Sequence, residues 1–304
     1  MKNGLHSLIF LSLFLILSAC GNRDNRSNKY VFPEADSIPV NESEKLSQEA
    51  IDDIVQNISS PVEMAMMLQA LDVPFISEFL ASTREAEGLS TSFLKAIKLG
   101  IYGADLGYLN IYEKTGNAVD NLTIISKLAE ELRVGQFFDF ETLKRLAVNR
   151  NNLDSLLYMS VHSFNQIDEY LRTNDRGYLS ALMITGVWIE AQYFACEVVK
   201  DYPHEELRNR IGEQKIILND LLMLLRPYRE SSEDYKNLYN DFERIKEVYR
   251  PVEISYTPGE PETVEKDGRL VVIQNEESVV TMTDEQLEAV IKITEEVRNK
   301  IISY

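Results

Sequence analysis

The chain has 304 residues, with 49 acidic against 31 basic side chains and a formal net charge of −18. That balance repels phosphate backbones, and no basic stretch with interleaved aromatics offsets it, so no nucleic acid partner is expected. Three histidines in all, with no H-E-x-x-H, no paired C-x-x-C, no G-x-S-x-G and no phosphate loop, argue against a dedicated metal site and give no reason to expect a cofactor.

Lys2 precedes an apolar run from Leu8 to Leu17, broken only by Ser12, and Leu17-Ser18-Ala19-Cys20-Gly21 closes it. The run is too short and wrongly flanked for a spanning helix. This order resembles the lipobox of bacterial lipoprotein signals. The resemblance implies cleavage after Ala19, a diacylglyceryl thioether on Cys20 and acylation of the new amino terminus. The alternative is an ordinary secretory signal with a chance cysteine. Removing residues 1–19 leaves 285 residues and a charge of −19, because Lys2 is the sole charge lost. So acidic a chain is repelled by anionic lipid, and the membrane would be held through the acyl chains on Cys20. Cys196 is then left without a disulfide partner. Among Phe194, Ala195, Val198 and Val199 it reads as a small buried hydrophobe.

Residues 20–46 are polar, carry Pro33 and Pro39, and read as a flexible tether about 25–30 Å in mean span. Surface lipoproteins of Bacteroidota often resemble one another in an acidic run after the cysteine. Here Gly21-Asn22-Arg23-Asp24-Asn25-Arg26 is mixed, and Gly21 stands where some inner-membrane lipoproteins carry aspartate. An outer-membrane anchor facing the periplasm, rather than the cell surface, is the expected address.

From residue 47 to 304 the signals describe one mostly α domain. Ser60-Pro61 with Glu63 caps a helix to about Leu71, whose Met64, Met66 and Met67 read as core rather than as an adaptable binding face. Pro74 opens a short apolar segment, Phe75 to Leu80. In a helix over 90–113, Ala96, Gly100, Gly103 and Gly107 share one stripe, which predicts a second helix crossing at close range. Tyr102, Asp105, Tyr108 and Tyr112 share the opposite face. Thr115-Gly116-Asn117 is expected to break the chain before a helix over 118–133, with Leu122, Ile125, Leu128, Ala129 and Leu132 inward.

Helices are then predicted over 140–148 and 153–171, the latter burying Leu153, Leu157, Phe164, Ile167 and Leu171 with His162 on the wetter side. Residues 178–199 are apolar nearly all round and hold Trp188, the chain's one tryptophan. Glu190 and Gln192 near their centre favour a soluble core over a lipid-exposed span. Helices over 204–225 and 232–249 end at Pro227 and Pro251. Residues 251–282 form an extended excursion. Val252–Thr257 and Arg269–Ile273 are β-type, Lys266-Asp267-Gly268 is a hairpin signal, and Ser278–Met282 is a further extended candidate. Thr283 and Gln286 form a capping box for a last helix over 283–304, with Leu287, Val290, Ile291, Thr294, Val297 and Ile301 on one face.

A shift of 85 residues aligns Ala96 with Ala181, Leu99 with Ile184, Asp105 with Glu190 and Tyr108 with Tyr193. A bundle of stacked antiparallel helix pairs, similar to tetratricopeptide units but without their signature residues, would produce this; so would chance likeness of two apolar helices. The mature chain also resembles uncharacterised all-helical envelope lipoproteins of Bacteroidota, around Gly103-Ala104-Asp105-Leu106-Gly107-Tyr108, Trp188-Ile189-Glu190, and Asp267–Val272 followed by Thr283–Leu287. The resemblance implies a fold and a compartment, and no activity.

Two functions fit. One is a non-enzymatic interaction or scaffold module acting on another envelope protein. The other is a small-molecule pocket or enzyme site between the Asp105 and Glu190 helices, formed by Tyr102, Asp105, Tyr108, Tyr112, Glu190 and Tyr193. In that case cation–π contacts could hold a cationic ligand. Without a ligand, each buried acid needs an internal partner, for which tyrosine hydroxyls or an arginine such as Arg145 or Arg150 are candidates. The internal network is the favoured reading, and no catalytic residue is assigned.

Overall fold

A computed structural model describes residues 38–303, apart from 48–49, 52–53, 55–60, 87, 148–152 and 267–268. Cys20, the signal peptide and most of the tether lie outside the described residues. The last part of the 20–46 stretch does not: from Ile38 the chain belongs to the folded unit. There Asn41 N–H donates to the Pro227 carbonyl at 2.9 Å, and Arg226 pairs with Glu44 at 3.2 Å.

The elements in chain order are helices α1 (Pro61–Ala70), α2 (Ser92–Ile111), α3 (Thr115–Glu131), α4 (Phe140–Ala147), α5 (Leu153–Thr173), α6 (Gly177–Asp201), α7 (Glu205–Leu225) and α8 (Glu233–Tyr249). Strands β1 (Glu253–Lys266) and β2 (Arg269–Thr281) follow, then helix α9 (Asp284–Ser303). The result is a mostly helical bundle with one antiparallel hairpin before the last helix.

The centre is α6. Over its length only Val187 and Glu197 before Lys200 escape full burial, and Trp188 lies against the Phe242 ring of α8 at 5.7 Å. It is long and apolar enough to cross a membrane, yet 89% of that stretch is buried inside the protein. Several of its polar groups are bonded within the core, as burial favours. Trp188 Nε1 donates to Gln214 Oε1 at 2.8 Å, and Gln192 Nε2 to Tyr249 Oη at 2.7 Å, which in turn donates to the Ile211 carbonyl. These pairs advance in opposite senses along α6 and α7, so the two helices are antiparallel. The Lys95–Glu131 ion pair, 2.9 Å, joins the start of α2 to the end of α3 and makes that pair antiparallel as well.

Helices α2 and α6 pack on glycine. A Cβ built on Gly100 would come within 3.0 Å of the Met183 carbonyl, and one on Gly186 within 3.0 Å of the backbone at Ile97. Gly100 thus makes the expected close crossing. Gly103 does not take part, because nothing lies within 4 Å of its would-be Cβ. The partner glycine is Gly186, which the pattern did not single out. Contacts advance in the same sense on both helices, from Gly100 against Met183 and Val187 to Tyr108 against Phe194, with ring centroids 4.9 Å apart. The helices therefore run parallel, and the positions aligned by the 85-residue shift end side by side.

Several boundaries differ from expectation. The chain reverses at Tyr112–Lys114, where Glu113 takes φ +54°, so Thr115-Gly116-Asn117 is the first turn of α3 and not a break. Of the methionines on α1, Met64 is in the core while Met66 is exposed, because both cannot share a helix's inner face at i and i+2. The extended candidates at 269–273 and 278–282 form one strand, paired from Glu253↔Thr281 to Lys266↔Arg269 with a register shift between Pro258 and Pro261. The predicted turn residues Asp267 and Gly268 lie outside the described residues.

The inward face of α3 is as expected, and His162 is exposed. In α5, Ile167 and Leu171 are buried and Phe164 packs against the core; the side chains of Leu153 and Leu157 are outside the described set. The capping box of α9 is present. Gln286 N–H donates to Thr283 Oγ1 at 3.3 Å and Thr283 N–H to Gln286 Oε1 at 2.9 Å. Thr283→Ala is expected to cost about 1 kcal/mol in urea denaturation, and Thr283→Gly only a few tenths.

Candidate functional site

Asp105 and Glu190 do come together. Both are fully buried, and they act on each other across the parallel α2–α6 contact. The cation between them comes from neither Arg145 nor Arg150: Arg145 bonds Thr142 on its own helix, and Arg150 lies outside the described residues. It is Arg298, from α9. Its Nη2 and Nε meet the two oxygens of Glu190 at 2.6 and 2.9 Å, a bidentate pair. The same Nη2 donates to the Phe79 carbonyl at 3.0 Å, and the guanidinium lies over the Tyr193 ring at 4.2 Å.

The remaining predicted residues hold a strap, residues 73–82, that runs between α1 and α2 over this face. Tyr102 Oη donates to the Ser82 carbonyl at 2.9 Å, and Tyr112 Oη to the Val73 carbonyl at 2.9 Å. Ile76 N–H donates to Tyr108 Oη at 3.0 Å, and Ala81 N–H to Asp105 Oδ2 at 3.2 Å. Phe75 stacks on Tyr108 with centroids 5.5 Å apart, and Phe79 meets Tyr193 edge-on. The segment 73–82 contains only one short 3₁₀ turn, so its backbone groups lack helical partners. The tyrosines and Asp105 supply those partners.

Two carboxyls share one arginine here. Burial pushes the Asp105 carboxyl well above the usual carboxylate range, and the neighbouring Glu190 charge pushes it further; Arg298 and the Ala81 amide only partly oppose them. Burial also raises Glu190, against the opposing pull of its direct bonds to Arg298. The consistent assignment is a protonated Asp105 donating to an ionised Glu190 that is paired with Arg298. Asp105 Oδ1 has no hydrogen-bond partner among the described atoms.

Arg298 and the strap backbone were missed from sequence. Arg298 follows Val290 and Thr294 at four-residue steps, both fully buried, so its place beside the apolar stripe was the available signal. Lys98 was missed too. It is fully buried on α2, with Nζ 2.6 Å from the Ile302 carbonyl near the end of α9, where a cation suits the helix dipole.

As chemistry, the cluster offers a held proton and a neutralised carboxylate enclosed by protein. Cys196 offers no nucleophile, since burial pushes its thiol up to about 12. Among the described residues no group of His, Cys, Asp and Glu could hold a metal. A groove of about 460 Å³ opens elsewhere, between Ile38–Leu46 and the α5–α6 and α7–α8 turns, and includes Arg172, Asp175 and Tyr228. No family model, curated protein or solved structure matches the chain.

Proposed function

We propose that the chain is an outer-membrane lipoprotein, lipidated on Cys20, whose helical domain faces the periplasm and acts as a non-enzymatic interaction or scaffold module for another envelope protein. The observation that carries the anchor is the order of the N-terminal residues, an apolar run closed by Leu17-Ser18-Ala19-Cys20. The non-enzymatic reading is supported by the internal bonding of the acid pair. Every predicted pocket residue is bonded to, or stacked on, another part of the chain. Two antiparallel helix pairs, α2–α3 and α6–α7, joined through parallel first helices, fit a stacked-repeat architecture, which commonly serves protein recognition.

The test is maturation. Wild type should incorporate labelled palmitate and fractionate with outer membranes. Cys20→Ser should take up no label and leave the membrane fraction, and globomycin should make wild-type precursor accumulate. Cys196→Ser should label normally, because that thiol is buried. Wild type without label on Cys20 would overturn the anchor. A partner captured by crosslinking in intact envelopes, and lost with Cys20→Ser, would support the interaction role.

A further inference from the structure

The strap over the acid pair is bound by groups whose charge balance turns on one proton. Phe79 O rests on Arg298, Ala81 N–H on Asp105 and Ser82 O on Tyr102, so three of four consecutive strap residues are bonded to the cluster or beside it. Asp105 is acted on by Glu190 from α6 and Arg298 from α9, Lys98 of α2 acts on Glu190, the Arg298 guanidinium lies over Tyr193 of α6, and Tyr102 and Tyr108 of α2 bond the strap backbone. The strap itself contributes only backbone there, since Glu78 points outward and is exposed. Arg298 is already committed to both oxygens of Glu190. Lys98 is committed to the end of α9 and acts on Glu190.

We propose that the strap is a proton-dependent latch: it stays shut over α2 and α6 while Asp105 carries its proton, and opens when that proton leaves. Ionised, Asp105 would place a second negative charge against Glu190 in an enclosed space, with its donor-free oxygen unsolvated. Lifting residues 79–82 admits water to the carboxylate and gives up the Ala81 amide bond at 3.2 Å together with the Phe79–Arg298 and Ser82–Tyr102 bonds. Burial holds the closed-state proton on, and water removes it from the open state. Between about pH 4, where an exposed aspartate titrates, and the closed-state value, opening therefore grows about tenfold per pH unit. The latch depends on the buried cluster and is independent of the lipid anchor.

The experiment is hydrogen–deuterium exchange on the full-length protein in detergent at pH 6, 7 and 8, with the intrinsic pH dependence of exchange divided out. The Ala81 amide of wild type should open progressively more from pH 6 to pH 8, by up to about tenfold per unit, while mid-α6 amides hold steady. Asp105→Asn should give a flat profile. Tyr102→Phe, which removes the bond to Ser82 and leaves both acids in place, should raise opening by a constant factor at every pH and keep the wild-type slope. Infrared difference spectra should show a protonated carboxyl in wild type at neutral pH, absent from Asp105→Asn. A pH-independent strap in wild type, an unchanged slope in Asp105→Asn, or no protonated carboxyl at neutral pH would each overturn the latch.

Discussion

Glu190→Gln is expected to lower the free energy of unfolding by about 3–5 kcal/mol, while Asp105→Asn stays within about 1 kcal/mol of wild type near pH 6. The two substitutions are chemically equivalent and the residues occupy adjacent, fully buried positions. The difference lies in the charges. Glu190 neutralises Arg298, which cannot lose its proton, so the glutamine variant strands a buried guanidinium. Asp105 is neutral in the fold, and asparagine replaces a neutral acid with a neutral amide. Its NH₂ can donate to Glu190 and its carbonyl can accept from Ala81.

The sign with pH follows from the raised Asp105 value. Its contribution is complete below about pH 3.9, the unfolded pKa, and is lost at about 1.4 kcal/mol per unit as pH rises toward the folded value. Urea denaturation at pH 6 and pH 8 checks this. The gap between Asp105→Asn and wild type should move in favour of the variant at the higher pH. A larger loss in Asp105→Asn than in Glu190→Gln would put the ionised carboxylate on Asp105 instead.

Gly186→Ala should destabilise by about 1–3 kcal/mol or more, and Gly103→Ala should stabilise by up to about 1 kcal/mol. Both glycines are inside helices, where alanine is intrinsically the better residue. At Gly186 the added methyl meets the Ile97 backbone of α2, which cannot rotate away as a side chain could. At Gly103 it meets open space, and only the gain in helix propensity remains. Thermal melts of the two variants with Gly100→Ala as a third should show Gly100 and Gly186 falling together and Gly103 rising. A neutral Gly186→Ala would mean that α2 and α6 lie farther apart than the glycine contact requires.

The amino-acid pattern by itself determined the helices, the place of α6 at the centre, the hairpin before α9, the capping box at Thr283 and Gln286, and the inward face of α3. Each of these is a local matter of periodicity, capping chemistry or turn residues, which short windows of chain record. It also picked out Asp105, Glu190 and the tyrosines as unsuited to a plain core, because polar groups on apolar helices need partners wherever they end up. Which partners they found was decided only in three dimensions. Arg298 is 108 residues from Glu190, and Ala81 is 24 from Asp105. Such pairings have no periodicity to read. The glycine stripe likewise foretold a close crossing but not that Gly186 would be the opposing residue or that Gly103 would be spared, since the crossing point depends on how two helices settle against each other. The raised Asp105 carboxyl is the furthest from local chemistry: burial brings two carboxyls to one guanidinium, and only the packed structure creates that shortage of positive charge.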